Sequence, residues 1–280
     1  MRQGDLRDLL AAHGLRPNHR FGQNFLVDPA LLARIPEDAG VQVGEPVLEV
    51  GPGAGALTNE LLKVGAQVLA VELDHGLARL LRERFADALD SGQLQLIEGD
   101  ILAAEERLHP EVESWWAALQ RPPRLVANLP YAISGPFLGR LPSRDLAGAT
   151  LLLQREVAEK AAGPAAKEEW SPLSIRLRLA FDANLGRRLP PEVFWPRPKI
   201  DSAFLQLQPR GDALPPQQEA HLNEVLRFSF GQRRKTLLGR LRKAFPAWAE
   251  ALAAEDVASD ARPGAVAPAA WKAALARVVS

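Results

Sequence analysis

The segment from Pro46 to Thr58 limits what this chain can fold into more than any other. Pro46-Val47-Leu48-Glu49-Val50 is a short, largely apolar run and reads as a buried strand. It passes directly into Gly51-Pro52-Gly53-Ala54-Gly55, and Ala56-Leu57-Thr58 opens a helical pattern. Glycines let a backbone approach a ligand closely, and the first turn of the helix that follows offers N–H groups with no partner inside the helix. Strand, Gly-rich turn and helix in this order begin an open α/β sheet, where ligands bind outside the carboxyl ends of the strands.

Gly-x-Gly-x-Gly alone does not name the ligand, because nicotinamide-cofactor folds use similar loops. Two details separate the readings. Glu49 stands two residues before Gly51, where a carboxylate suits a sulfonium amino acid carrying an ammonium and would repel a pyrophosphate. Gly55 follows Gly53 by two residues, where the dinucleotide fingerprint requires three. A second strand, Gln67 to Asp74, places Glu72 17 residues after Gly55, a spacing that suits an acceptor for ribose hydroxyls. A third, Leu94 to Leu102, contains Gly99-Asp100-Ile101. There Asp100 can accept from an exocyclic amine and the Ile101 N–H can donate to a ring nitrogen. Residues 103–123 read as helical, with Trp115 and Trp116 as packing residues.

A fourth apolar run, Arg124 to Ala127, ends in Asn128-Leu129-Pro130-Tyr131. Proline forces the backbone out of the sheet, so this tetrapeptide sits at a strand's carboxyl end. The Asn128 amide oxygen and the Leu129 carbonyl are two acceptors beside the flat face of Tyr131. That set suits a planar amino group such as N6 of adenine.

The remainder frames these motifs. At 280 residues the chain exceeds one typical domain, and 47% hydrophobic residues suffice for a core. Formal net charge is zero, so any polyanion surface must be local. The chain has no cysteine, which excludes disulfides and thiolate zinc sites, and its five histidines form no metal-spaced cluster. No secretory leader or membrane span is expected. Near the start, Leu6 to His13 reads as a helix ended by Gly14, with Arg16, His19 and Arg20 after it as a basic arm. Asp28-Pro29 reads as the cap of a helix beginning near Ala30. Ala203 to Gln208 reads as a strand, Pro209 to Pro216 as a linker, and the rest as helical. Between Arg227 and Lys243 lie seven basic residues and no acidic one, which makes Arg233, Arg234 and Lys235 candidates for phosphate contact.

In combination these segments resemble the ribosomal RNA adenine N6-dimethyltransferases, class I S-adenosylmethionine enzymes, in their bacterial small-subunit branch. The resemblance rests on Gln23-Asn24-Phe25-Leu26, Glu49 to Gly55, Glu72, Gly99-Asp100, Asn128 to Tyr131 and Gln154-Arg155-Glu156-Val157-Ala158. It continues through Phe194-Trp195-Pro196-Arg197-Pro198-Lys199-Ile200-Asp201-Ser202-Ala203 and Phe230-Gly231-Gln232-Arg233-Arg234-Lys235-Thr236-Leu237. It implies a Rossmann-like methyltransferase sheet with an N-terminal arm over residues 1–208 and a small helical RNA-contacting domain over 209–280. It implies S-adenosyl-L-methionine as donor. The expected product is N6,N6-dimethyladenine at two adjacent adenines in a hairpin near the 3′ end of 16S ribosomal RNA, with a part in small-subunit biogenesis. Asn24, Leu26, Gly51, Glu72, Asp100 and Asn128 match cofactor-lining positions, and Glu49, Gly53, Gly55 and Ile101 lie in the same motifs. Asn128 and Leu129 match the holders of the target amine, and Tyr131 and Phe194 match an aromatic pair that sandwiches the adenine. A cytoplasmic monomer, with no membrane partner and no metal, is the expected setting. Two departures stand out: Ala132 where the family usually has Asn, and Trp170-Ser171-Pro172 where it usually has Tyr-Gly-Arg. The competing readings are a DNA adenine methyltransferase, a nicotinamide oxidoreductase and a non-catalytic ribosome-assembly factor.

Overall fold

The computed structural model describes residues 1–18, 22–103, 107–163 and 169–279. His19 and Arg20 of the expected basic arm, and Phe21, lie outside the described residues. The strands are β1 (Phe25–Leu26), β2 (Pro46–Val50), β3 (Gln67–Glu72), β4 (Leu94–Glu98), β5 (Arg124–Asn128), β6 (Gly148–Gln154), β7 (Phe181–Leu189), β8 (Phe194–Trp195) and β9 (Ser202–Pro209). The helices are α1 (Gln3–Ala12), α2 (Pro29–Asp38), α3 (Ala56–Lys63), α4 (His75–Arg84), α5 (Ala86–Asp90), α6 (Pro110–Ala118) and α7 (Ser134–Leu138). After them come α8 (Arg155–Ala162), α9 (Pro172–Ala180), α10 (Pro216–Phe230), α11 (Leu237–Ala244), α12 (Pro246–Ala253) and α13 (Pro268–Val279).

Seven strands form one sheet in the order β4-β3-β2-β5-β6-β9-β7, and β1 pairs with β8 in a separate two-stranded sheet. β4, β3, β2, β5 and β6 run parallel, and β9 lies antiparallel to β6. The Rossmann-like expectation therefore holds. Strand order reverses between β2 and β5, which pair through Val47–Arg124 and Leu48–Leu125, so the crevice for a ligand opens past their carboxyl ends. Every residue of β2 is buried because helices cover both faces of a parallel sheet. One face packs Val47, Val68, Val126 and Leu152 against α2 and α3 through Leu31, Leu32, Ile35, Leu57 and Leu61. Full burial of each such side chain contributes about 1.5–3 kcal/mol.

Local caps fall where the sequence places them. The Asp28 carboxylate accepts from Leu31 N at 3.0 Å with Pro29 in the first turn of α2, and Gly14, at φ +67°, follows α1. The expected helix over 103–123 is shorter. Among the described residues there, only Pro110–Ala118 is helical, because His109 and Pro110 set its start and Leu119 turns extended. Trp115 and Trp116 pack edge to face with centroids 6.5 Å apart.

The chain divides into two compact units. The first comprises Met1–Arg140, Asp145–Ala158 and Leu185–Leu207, and the second Leu141–Arg144, Glu159–Asn184 and Gln208–Ser280. The second unit thus takes in α9 as well as the C-terminal helices expected from the sequence. Its core gathers Ile175, Leu222, Leu226, Leu241, Trp248 and Trp271, and α13 turns Trp271, Ala274 and Leu275 inward as its amphipathic pattern predicts. Trp170-Ser171-Pro172 gains a physical account here. Ser171 caps α9 by accepting from Ser174 N, Pro172 occupies the first turn, and Trp170 N donates to Gly264 O at 2.8 Å. The run Pro209 to Pro216 is tied down. Arg210 pairs with Asp182 and Asp212 at 2.8 and 3.0 Å, Lys272 reaches Asp212 at 2.7 Å, and these two cations hold the Asp212 carboxyl down at about 2.

Candidate active site

The carboxyl ends of β2, β3 and β5, the turn after β4, and the segment before β1 line one pocket. Of the expected residues, the pocket wall contains Asn24, Leu26, Glu49, Gly51, Gly53, Glu72, Asp100, Ile101, Asn128, Leu129 and Tyr131.

The glycine loop leaves β2 with Gly51 at φ +68°. A Cβ on Gly51 would sit 3.0 Å from the Pro130 ring, so the Gly-rich loop and the Asn128-Leu129-Pro130-Tyr131 turn meet at a closeness that a side chain here would force the ring to yield to. Gly55 does something different from expectation. It does not line the pocket, and a Cβ there would run into Phe85 and lie 2.9 Å from Leu81 Cδ2. Its bareness, at φ +78°, serves helix packing.

Glu72 ends β3 with 6% exposure, and its two oxygens accept from Gly53 N and Asp74 N, each at 2.9 Å. These bonds fix the carboxylate in the wall while its remaining lone pairs stay available to hydroxyl donors. Burial raises its pKa despite those bonds. Glu49 is 1% exposed and accepts from Thr58 Oγ1 at 2.7 Å. Desolvation pushes its carboxyl up to about 8, with the nearby Glu72 charge adding in the same direction. It is held as a mostly neutral acid until a cation enters. Asp100 is exposed and uses Oδ1 to accept from Leu102 N at 2.8 Å, which forms the turn that carries the Ile101 N–H.

At the end of β5, the Asn128 amide nitrogen donates to the Asn24 carbonyl at 3.1 Å. The opposite end of that amide, Oδ1, is therefore the end left for a substrate. Leu129 N is bonded to Leu152 O at 3.1 Å, and no described backbone N–H takes up the Leu129 carbonyl. The Tyr131 hydroxyl is within 2.8 Å of Ser202 Oγ, which anchors the ring by its edge, and burial raises its pKa.

Phe194 departs from expectation. It is 3% exposed, pairs with Leu26 across β1 and β8, and packs into the core, so it does not form a second face toward the pocket. Residues that the sequence reading missed include Thr58, Ser202 and Leu73. Leu73 is 44% exposed and forms an apolar wall directly after Glu72; a large exposed hydrophobic beside a strand-end acid is the signal that could have found it.

In the second unit, Arg233, Arg234 and Lys235 are exposed on the turn between α10 and α11, and Arg242 and Lys243 are exposed in the last turn of α11. Arg240 is not part of that free surface. It lies 4.6 Å from the centroid of the Phe228 ring and donates to the Ser229 and Phe228 carbonyls at 2.8 and 3.0 Å, closing the end of α10.

Comparison with known proteins gives the family of the chain. Residues 14–274 match the family described as ribosomal RNA adenine dimethylase. Ribosomal RNA small subunit methyltransferase A of Magnetococcus marinus is 38% identical over 246 residues, covering 87% of this chain and 85% of that protein. The protein of the same name from Anaeromyxobacter sp. (strain K) is 39% identical over 254 residues, covering 88% and 87%. Among solved structures, 23S rRNA methyltransferase ErmE superposes with a TM-score of 0.68 at 27% identity over 92% of this chain and 100% of that one. A dimethyladenosine transferase from Plasmodium falciparum shares the fold at a TM-score of 0.67 and 22% identity, covering 91% and 97%. On the match over residues 14–274, the chain belongs to the ribosomal RNA adenine dimethylase family.

Proposed function

We propose that this protein transfers methyl groups from S-adenosyl-L-methionine to N6 of two adjacent adenines in a hairpin near the 3′ end of 16S ribosomal RNA. It would work as a cytoplasmic monomer that also serves small-subunit biogenesis. The observation that carries the reading is the juxtaposition of the Asn128 amide oxygen, the Leu129 carbonyl and the Tyr131 ring with the glycine loop in one pocket.

The pocket residues suit the cofactor. Glu72 is a fixed acceptor for two hydroxyls, Asp100 and the Ile101 N–H present an acceptor and a donor for an aminopurine edge, and Leu73 and Ile101 supply apolar walls. Glu49 supplies a carboxyl whose ionisation an ammonium would favour. Gly51, Gly53, Asn24 and Leu26 bring backbone close on the remaining sides. Bound there, S-adenosylmethionine supplies an electrophilic methyl carbon on a positively charged sulfur.

The protein's part is chiefly positioning. Adenine N6 is a weak nucleophile because its lone pair is delocalised into the ring. Asn128 Oδ1 and the Leu129 carbonyl accept its two hydrogens, localise the lone pair and aim it into the pocket. Tyr131 offers a face that offsets the few kcal/mol lost when a base leaves its stack. No side-chain base is required, since the N6 proton becomes acidic only after methylation and can leave to water. Arg233, Arg234 and Lys235 would bind RNA phosphates through charge.

Methyl transfer from labelled S-adenosylmethionine to unmethylated small ribosomal subunits, read by nucleoside mass spectrometry, tests the proposal. N6,N6-dimethyladenine is expected. Label in another nucleoside would remove the target assignment, and absence of label with intact cofactor binding would favour a purely assembly-related role.

A further inference from the structure

Beside the two-stranded sheet of the first unit lies a groove whose residues have no part in the pocket above. It is lined by Arg7 and Leu10 of α1, by Leu15 and Arg16 after it, and by Trp195 and Pro196. The indole of Trp195 is half-buried and, like Leu15 and Val27, packs against the cluster of Leu6, Leu10 and Phe25. The Arg7 guanidinium carbon stands 5.8 Å from its ring centroid, near the outer limit of a cation–π contact and loose enough to be displaced. Arg7 and Arg16 are exposed, and among the described residues neither forms an ion pair and no acidic side chain lines the groove. The next basic residue along, Arg197, is different: Glu192 neutralises it. The carboxyl end of α1, which would otherwise repel an anion, is closed off. Leu10 O accepts from His13 N and Leu15 N, Ala11 O accepts from Gly14 N, and Leu9 O is bonded to the His13 ring.

We propose that this groove seats a single-stranded stretch of the RNA substrate flanking the target, with one base stacked on Trp195 and neighbouring phosphates on Arg7 and Arg16. The inference rests on the RNA-methylation reading. Two unpaired guanidinium groups framing a flat aromatic ring match a polyanion with stackable bases, the pattern of single-strand binding surfaces. The groove is also tied to the amine acceptors by short covalent and hydrogen-bonded steps. Trp195 pairs with Phe25 across β8 and β1, and the residue before Phe25, Asn24, supplies the carbonyl that holds Asn128. An adenine taken out of its stack leaves neighbours unstacked, and a platform on the strand paired with Phe25 would replace part of that loss.

The test uses the full chain and a 16S ribosomal RNA hairpin with single-stranded flanks. Trp195→Leu should weaken RNA binding about tenfold, the lower range for one base–aromatic stack. Turnover at saturating RNA and cofactor affinity should not change. Trp195→Phe, which keeps a stacking face, should bind within about twofold of wild type. Changing Arg7 and Arg16 together to Gln should reduce the slope of log affinity against log salt by about 1.4, two contacts at about 0.7 each. Wild-type RNA affinity and slope in the Trp195→Leu and double-Arg variants would overturn the groove assignment while leaving the methyltransferase reading intact. Equal weakening by Trp195→Phe and Trp195→Leu would overturn it too, by showing that Trp195 acts through packing. A defect seen on assembled subunits but not on naked RNA would hand the groove to a protein partner and overturn the RNA proposal. A wild-type chain that does not bind this hairpin would overturn the groove assignment, whereas the methyltransferase reading stands or falls on transfer to small ribosomal subunits.

Discussion

Glu49→Gln isolates a buried, strongly perturbed carboxyl of the pocket. Glu49 is buried, donates nothing while ionised, and accepts one bond from Thr58; burial pushes its carboxyl from 4.5 to about 8. Its folded-state pKa therefore lies above its unfolded one. Below about pH 4.5 both states hold the proton and stability is insensitive to this group. Above it the unfolded chain ionises while the folded chain keeps its proton, so stability falls with rising pH until the folded group also ionises near 8. At about 1.36 kcal/mol per unit, the loss between pH 5.5 and pH 8 is about 3 kcal/mol. Gln keeps the acceptor for Thr58 and has no proton to lose. In urea denaturation of the cofactor-free protein across this range, the variant should gain on wild type by about that amount as pH rises. Saturating S-adenosylmethionine should shrink the difference, because its ammonium favours the ionised carboxylate. Parallel pH profiles for the two proteins would refute the assignment of a neutral buried Glu49.

Four further outcomes are expected. Asn128→Ala should abolish methyl transfer while calorimetry still detects cofactor binding, since it removes one of two amine acceptors; normal turnover would dismiss that role. Glu72→Ala should weaken cofactor binding and also destabilise the fold by about 1–3 kcal/mol, because Gly53 N and Asp74 N lose their acceptor. Gly55→Ala should destabilise by about 2–4 kcal/mol through its left-handed backbone and the collision with Phe85, which thermal melting would detect. Replacing Arg233, Arg234 and Lys235 with Ala should flatten the salt dependence of RNA binding by about 2 slope units, at about 0.7 per single-strand contact. An unchanged slope would locate the RNA elsewhere.

Most of the sheet was legible because inner strands of a parallel sheet are buried on both faces, so β2, β3 and β5 read as largely apolar runs, while β6, though just as buried, was not singled out. The pocket was legible because its residues sit at the ends of those runs, where Glu72, Asp100 and Asn128 interrupt an apolar pattern with a polar group. What stayed hidden depends on pairings at long range. Tyr131 meets Ser202 across 71 positions, and nothing local marks Ser202 as its partner. Phe194 sits in a run of prolines and aromatics with no period to tell core from cleft, and its pairing with Leu26 decides the matter. Gly55 sits in a ligand-binding motif for a reason that lies in α4 and the residue after it, where Leu81 and Phe85 fill the space a side chain would need. Likewise, Arg240 is indistinguishable from its basic neighbours in sequence, yet it closes the end of a helix.

The bond from Asn128 to the Asn24 carbonyl sets the polarity of the pocket. An asparagine amide is nearly symmetric in shape and opposite in polarity at its two ends, so rotation by half a turn would convert the acceptor proposed for the target amine into a donor that repels it. In this protein the orientation of Asn128 is decided by the Asn24 carbonyl, 104 positions upstream, on a segment held in place by the two residue pairs of β1 and β8. The N-terminal arm is thus a polarity lock on the active site. Shortening the chain past Asn24 would leave every atom of Asn128 present and remove the reason for it to face the right way.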